Sequence, residues 1–139
     1  MMTINHGTAA DYTAHLKACD RLFPTALSER IDLERYAEKL HDRATSFELW
    51  DGHRIVGLLS VYLDTDVAFI SHICVLPEAP PRSGSRLMTA LVNEAIRRHK
   101  RRIRLQVEVK NEHAVTFYQR HGFVETQKNG LTLTMEREV

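Results

Sequence analysis

The spacing of apolar residues changes once along the chain, and this change limits the folds that the chain can adopt. Residues 8–44 place apolar side chains every three or four positions, which is typical of helices. Residues 45–76 instead form three strand-like runs separated by short polar turns. The Asp51-Gly52 pair between the first two runs is a hairpin signal. We therefore predict two helices followed by an antiparallel three-stranded meander.

Local signals place the remaining elements. Thr8 and Asp11 have the spacing of a capping box, so a helix should begin after Thr8. Asn129-Gly130 predicts a tight hairpin near the end of the chain. The predicted elements are a strand at 3–6, a helix from Thr8 to Pro24, a helix at 32–44, strands at 45–50, 55–64 and 67–76, a helix after a loop at 77–85, a strand at 102–109, a helix from Asn111 to Arg120, and strands at 123–128 and 131–137.

Length, charge and cysteine content exclude several classes of protein. A chain of 139 residues predicts one domain spanning 1–139, and a net charge of +1 argues against nucleic-acid and membrane partners. The basic run 97–102 lies at a predicted helix end, where cations complement the helix dipole. Cys19 and Cys74 form no metal or redox motif, which favours a reduced, cytoplasmic location. The eight histidines lack a ligand spacing, so we predict no metal.

The segment from Val75 to Met88 joins a strand to an amphipathic helix through a loop of small residues. Small side chains allow backbone amides to approach a ligand, and the first turn of a helix presents unpaired N–H groups with partial positive charge. This combination binds phosphate groups. A plain surface loop would have the same composition, so both interpretations stay open on this segment alone.

A second segment, 111–123, places an Asn after a strand, then an Ala, a Phe-Tyr pair and a closing Gly-Phe pair. The pattern resembles the C-terminal signature of GNAT acetyltransferases, and the earlier segment lies where that family keeps its acetyl-CoA loop. One helix and one strand separate the two segments, as in the family. The resemblance therefore covers essentially the whole chain. The residues that carry the signature are Asn111, Ala114, Phe117, Tyr118, Gly122 and Phe123.

The resemblance implies an α/β class with the GNAT acyltransferase fold, a mixed, mostly antiparallel central sheet flanked by about four helices. It also implies acetyl-CoA as cosubstrate and direct transfer to a primary amine. The loop departs from the family pattern, because Pro80 stands at the Arg/Gln position and Pro81 lacks an N–H for the pyrophosphate. The residues implied in acetyl-CoA binding are Ile73, Cys74, Val75, Arg82, Ser83, Gly84, Ser85, Arg86, Asn111 and Tyr118.

The resemblance makes Tyr118 the general acid, with its phenol near the CoA sulfur. The general base is less defined, because Phe69, Ser71 and Gln106 occupy the positions where members keep a Glu or His. His72 titrates in the right range and is our first candidate, although strand alternation places it on the opposite face from Ser71. Glu108 and a water chain through Ser71 and Gln106 are the alternatives.

The acceptor site in this family is lined by the loop between the first two helices and by the final hairpin. Here these are residues 23–30 and 127–129, and the predicted substrate contacts are Glu29, Arg30, Ser71 and Gln106. The run 27–30 resembles members associated with bacterial surface sugars, which suggests an amino sugar among small-molecule amines. A peptide or protein N-terminus, and a non-catalytic CoA-binding module, are the competing predictions. We expect a monomer or homodimer.

Overall fold

The structure is a computed structural model that describes all 139 residues. Seven strands form one sheet: β1 Met2–Ile4, β2 Thr45–Asp51, β3 Arg54–Tyr62, β4 Val67–Val75, β5 Arg102–Glu108, β6 Val124–Asn129 and β7 Thr132–Glu138. Four helices accompany them: α1 Ala9–Cys19, α2 Leu33–Arg43, α3 Ser83–Arg97 and α4 Glu112–Arg120. This confirms the predicted α/β class and the predicted order of elements.

The sheet has the strand order β1-β2-β3-β4-β5-β7-β6. Every neighbouring pair is antiparallel except β4 and β5, which are parallel and are connected through α3. The final hairpin places β7 beside β5 and leaves β6 at the edge. The sheet is therefore mixed and mostly antiparallel, as predicted, and its one parallel junction lies at the centre.

Both faces of the sheet are covered by helices. Leu58 and Leu59 are consecutive residues of β3 and therefore point to opposite faces, yet both are fully buried. Helix α1 packs against β3, and α3 packs against β2, β3 and β4. Burial of each such leucine stabilises the fold by roughly 2 kcal/mol. The core thus holds the central strands in place from two sides.

Two predicted helix boundaries are wrong. Helix α1 ends at Cys19 rather than at Pro24, because a 3₁₀ turn at Asp20–Leu22 follows it, and a second 3₁₀ turn lies at Leu27–Glu29. The Asp20 carboxylate accepts the Ser28 N–H at 2.8 Å and joins the two turns. Helix α3 begins at Ser83, so the last three residues of the predicted loop belong to the helix.

The basic run 97–102 is largely paired with acidic residues. Arg97 and Arg98 both contact Glu94 one turn earlier on α3, with closest N···O distances of 2.5 and 2.7 Å. The remaining arginines pair across elements, Arg101 with Asp66 and Arg102 with Glu136. This pairing agrees with the interpretation of the run as a helix end. No helix combines the length and the apolar character needed to cross a bilayer.

Candidate active site

Strands β4 and β5 separate halfway along their length. They pair only between Val67–Ile70 and residues 102–105. Beyond Ile70, β4 still pairs with β3, and beyond Leu105, β5 still pairs with β7. The backbone groups of Ile73–Val75 that face β5 therefore have no partner strand. Such an open edge binds an extended ligand through main-chain hydrogen bonds.

A β-bulge lies where the strands begin to separate. Ser60 pairs with His72 and Val61 pairs with Ile70, which leaves Ser71 as the extra residue of β4. Tyr36 of α2 donates its hydroxyl proton to the Ser71 carbonyl at 2.9 Å. The bulge breaks the strand alternation, so Ser71 and His72 line the same cavity. The prediction that they lie on opposite faces is therefore wrong.

This cavity occupies the gap between β4 and β5 and has a volume of about 350 Å³. It brings together many of the predicted site residues, and Glu29, which is exposed, is not among them. The predicted hairpin residues 127–129 do not line it either, because β7 separates β6 from β5. The residues on its wall include Phe23, Leu27, Arg30, Tyr36, Ser71, His72, Ile73, Gln106, Glu108, Asn111 and Tyr118.

Tyr118 reaches the cavity from α4. Asn111 caps this helix, because its side-chain oxygen accepts the Ala114 N–H at 3.3 Å. Only 7% of Tyr118 is exposed, and its hydroxyl has no hydrogen-bond partner within the protein. Burial, and then the nearby Cys74 thiol, raise the pKa of Tyr118 above its ordinary value. The phenol is therefore protonated at neutral pH and free to donate to a ligand.

His72 is only 4% exposed and contacts a second buried histidine. Its Nε2 lies 3.1 Å from Nε2 of His15, and Nδ1 of His15 lies 3.3 Å from the Ile55 carbonyl. Since a carbonyl only accepts, His15 carries its proton on Nδ1 and accepts the Nε2 proton of His72. Burial, and then the His15 ring, hold the pKa of His72 well below its ordinary value. This environment opposes the predicted proton-accepting role of His72.

Acid is expected to destabilise the protein through this histidine pair. Burial lowers the pKa of His15 from 6.5 to about 4, so the unfolded chain binds its proton first as pH falls. Neutral His15 therefore makes its full contribution to folding stability above pH 6.5. This contribution, roughly 3 kcal/mol, is lost as the pH falls from about 6.5 to 4. Chemical denaturation across this pH range measures the effect. His15→Gln should reduce the pH dependence of stability and leave only the part that comes from His72. Equal pH slopes in the wild type and the variant would contradict this expectation.

Glu108 is the only acidic residue on the cavity wall, and Arg30 is the only basic one apart from His72. The Glu108 carboxylate lies 3.7 Å from the Arg30 guanidinium and accepts a hydrogen bond from the Thr25 hydroxyl at 3.1 Å. Lys110 lies 3.9 Å away on the outer side. A carboxylate and a guanidinium therefore lie together on the cavity wall.

The first turn of α3 carries free backbone amides. Arg82 precedes the helix with a positive φ of 66°, and the Ser83 N–H donates to the Pro80 carbonyl at 3.3 Å. The amides of Gly84 and Ser85 have no acceptor within the protein. A Cβ on Gly84 would lie 3.3 Å from the ring of Phe117, so the glycine allows α3 to approach α4 closely. This turn has the features of an anion site.

Three side chains at the site were not identified as a group from the sequence. Tyr36, His15 and Cys19 all reach the region around β4 from the two preceding helices. His15 and Cys19 are four residues apart on α1, which places them on one helix face, and His72 and Cys74 are two apart on β4. These two spacings are the features of the sequence from which the grouping could have been predicted.

Comparison with known proteins identifies the fold and the family. The model of the acetyltransferase (GNAT) family matches residues 11–123. The PaiA N-acetyltransferase from Thermoplasma acidophilum, solved in complex with coenzyme A, superposes with a TM-score of 0.79 at 14% identity, over 100% of this chain and 99% of that chain. Ard1 from Thermoplasma volcanium gives 0.78 at 21% identity, over 99% and 97% of the two chains.

The ribosomal-protein-S18-alanine N-acetyltransferase from Escherichia coli gives a TM-score of 0.74 at 20% identity, over 100% of this chain and 94% of that chain. These identities show a shared fold and no more. None of the curated proteins matches the chain. The family model covers most of the chain, and the solved structures agree with its fold over nearly the full length. The chain therefore belongs to the acetyltransferase (GNAT) family and is an N-acetyltransferase that uses acetyl-CoA.

Proposed function

We propose that the protein transfers an acetyl group from acetyl-CoA directly to the primary amine of a small molecule, with an amino sugar among the candidate acceptors. The observation that carries this proposal is the cavity between β4 and β5. Its volume of about 350 Å³ suits a small ligand, and it combines a free phenol with a single carboxylate. A primary amine needs both groups, since it must be held and must lose a proton before attack.

The open edge of β4 and the first turn of α3 are the proposed acetyl-CoA contacts. Backbone groups of Ile73–Val75 fit the amide-rich pantetheine arm, which Asn111 also approaches. The free amides of Gly84 and Ser85 fit the pyrophosphate, with Arg82 and Arg86 supplying positive charge. Acetyl-CoA supplies the acetyl group as a thioester. The residues fit this ligand even though Pro81 offers no amide.

Tyr118 is proposed to donate its proton to the sulfur atom as the thioester bond breaks. The donation needs a phenol that is protonated and not engaged elsewhere, and Tyr118 meets both conditions. The low dielectric of its buried position strengthens the hydrogen bond to a developing thiolate.

Glu108 takes the place of His72 in the proposed proton path from the acceptor. Its carboxylate holds the ammonium form and receives the proton through a water molecule near Ser71 and Gln106, which line the same cavity. Arg30 beside it is available to an anionic or hydroxyl-rich part of the acceptor. His72 contributes to the wall without changing its protonation.

Arg82→Gly is expected to weaken acetyl-CoA binding by about tenfold, because a charge-assisted contact to phosphate contributes ~1.5 kcal/mol or more. Folding should change little, since glycine adopts the φ of 66° without strain. Calorimetric titration with acetyl-CoA measures the loss, which should shrink at high salt. Arg82→Lys retains the charge and should retain most of the affinity. Binding by Arg82→Gly at the wild-type level would exclude Arg82 from the site.

Thermal unfolding with acetyl-CoA, followed by a CoA-release assay, tests the proposed function. Ligand at 100 times its dissociation constant should raise stability by about 2.7 kcal/mol. CoA release with amino sugars or other small amines supports the proposal. Release only with peptides would assign a protein acceptor, as in the ribosomal-protein acetyltransferase with the same fold. Binding without release across both panels would make the chain a CoA-binding module.

A further inference from the structure

Two histidines and a cysteine that acetyl transfer does not use meet in the core between α1 and β4. His15 and Cys19 lie on α1, and His72 lies on β4. Their Nε2 or Nδ1 and Sγ atoms all lie within 4.8 Å of one another, and all three residues are buried. Metal-binding side chains converge here from two elements that are distant in the sequence.

The distances suit a four-coordinate metal ion. Zinc binds imidazole nitrogens at about 2 Å in a tetrahedron, which places two such nitrogens about 3.3 Å apart. The Nε2 atoms of His15 and His72 are 3.1 Å apart. The Cys19 sulfur lies within 4.8 Å of both nitrogens, and tetrahedral coordination places such a sulfur about 3.6 Å from each nitrogen, so a shift of about 1 Å at most completes the geometry.

The His15 ring is already oriented as metal ligands are. Its Nδ1–H donates to the Ile55 carbonyl, which leaves the lone pair of Nε2 directed at the cluster. Metal binding would move the Nε2 proton of His72 to its Nδ1 atom and release the thiol proton of Cys19. Binding through these three residues therefore releases one proton for each metal ion, and a cysteine in the fourth position would release a second.

Cys74 offers a fourth ligand. It lies two residues after His72 on the same face of β4, and its thiol neighbours that of Cys19. A set of two imidazoles and two thiolates selects zinc or another thiophilic transition metal rather than magnesium or calcium, which prefer oxygen. His72 lines the cavity between β4 and β5, which gives an ion a route to the cluster.

We propose that His15, Cys19 and His72, with Cys74 in the fourth position, form a Zn²⁺ site behind the cavity. This site runs against the prediction from sequence that the protein binds no metal. That prediction depended on known motifs, and the ligands here are split between a helix and a strand. The bound ion would tie α1 to β4. The inference is independent of the proposed acceptor and stands whether or not the protein acetylates amines.

Cobalt titration of the reduced, chelator-treated protein tests the site. Co²⁺ replaces Zn²⁺ in such sites, and its spectrum distinguishes tetrahedral thiolate coordination from surface binding. We expect one Co²⁺ per chain, visible d–d bands, a near-ultraviolet thiolate charge-transfer band, and loss of all signals on addition of one equivalent of Zn²⁺. Zinc should also raise the melting temperature of the protein.

Ligand variants locate the site. Cys19→Ala and His15→Gln should each weaken Co²⁺ binding on the order of 100-fold or more, because direct ligands matter at least as much as the groups that orient them. His53→Gln removes an exposed turn histidine and should bind as wild type. Circular dichroism establishes that each variant is folded. Wild-type protein without a thiolate band, or equal binding by folded Cys19→Ala, would overturn the proposal.

Discussion

Replacing Tyr118 with phenylalanine is expected to lower kcat by about 10²–10⁴-fold, the usual contribution of one general acid. The substitution removes a hydroxyl that has no partner within the protein, so packing should be preserved. Acetyl-CoA binding should change little, because the main contacts proposed for it are backbone groups of β4 and α3. Steady-state kinetics with a responsive amine, together with calorimetric titration of acetyl-CoA, separates the two effects.

Tyr62→Phe is the matched control for this experiment. Tyr62 also carries a buried hydroxyl without a partner, but it lies outside the cavity between β4 and β5. The loss of its hydroxyl should leave kcat unchanged. If both variants retained the wild-type kcat, Tyr118 would have no part in the chemistry. The thiolate would then leave without a proton from this side chain.

The sequence predicts those parts of the fold that short segments determine. The capping box is present, with the Asp11 N–H donating to Thr8 at 3.1 Å and the Thr8 N–H donating to Asp11 at 2.8 Å. The Asn111 cap is also confirmed. The final hairpin forms as well, but Asn129 pairs with Thr132, so its two-residue loop is Gly130–Leu131 rather than the predicted Asn129-Gly130, with Gly130 at a φ of 59°. In each case the residues that decide the structure lie within four positions of one another, so the pattern can be seen in the chain.

The candidate site depends on contacts that no local pattern contains. The bulge at Ser71 exists only in relation to β3, because it is a mismatch in pairing between Ser60 and Val61. Alternation along β4 alone therefore assigned Ser71 and His72 to opposite faces. Likewise, His15 and His72 are 57 positions apart. Their contact depends on the packing of α1 against the sheet, so no local pattern in the sequence contains it.

The start of α3 was predicted wrongly for a third reason, an unusual backbone conformation. Small residues in the loop suggested that the helix begins after Ser85, whereas it begins at Ser83. Arg82 makes the difference by adopting a left-handed conformation, which few residues other than glycine favour. The resulting turn leaves the Gly84 and Ser85 amides without acceptors within the protein. Local propensity fails here at a proposed binding site, where such exceptions concentrate.

A buried carboxylate outside the active site should control the stability of the fold. Glu48 of β2 is fully buried and accepts hydrogen bonds from the Thr3 hydroxyl at 2.6 Å and the Tyr12 hydroxyl at 2.6 Å. It also accepts the backbone N–H groups of His6 at 3.0 Å and Gly7 at 2.6 Å. One side chain thus connects β1, the turn after it, and α1. Its two oxygens together accept four hydrogen bonds.

Glu48→Ala is expected to reduce the free energy of unfolding by about 3–5 kcal/mol, because it leaves several buried donors unsatisfied and opens a cavity. Urea denaturation monitored by circular dichroism measures the loss. Glu125→Ala, a strand glutamate that is exposed on β6, should change stability by less than about 0.5 kcal/mol. Equal stabilities for the two variants would mean that water replaces the carboxylate and that β1 and α1 are held by apolar packing alone.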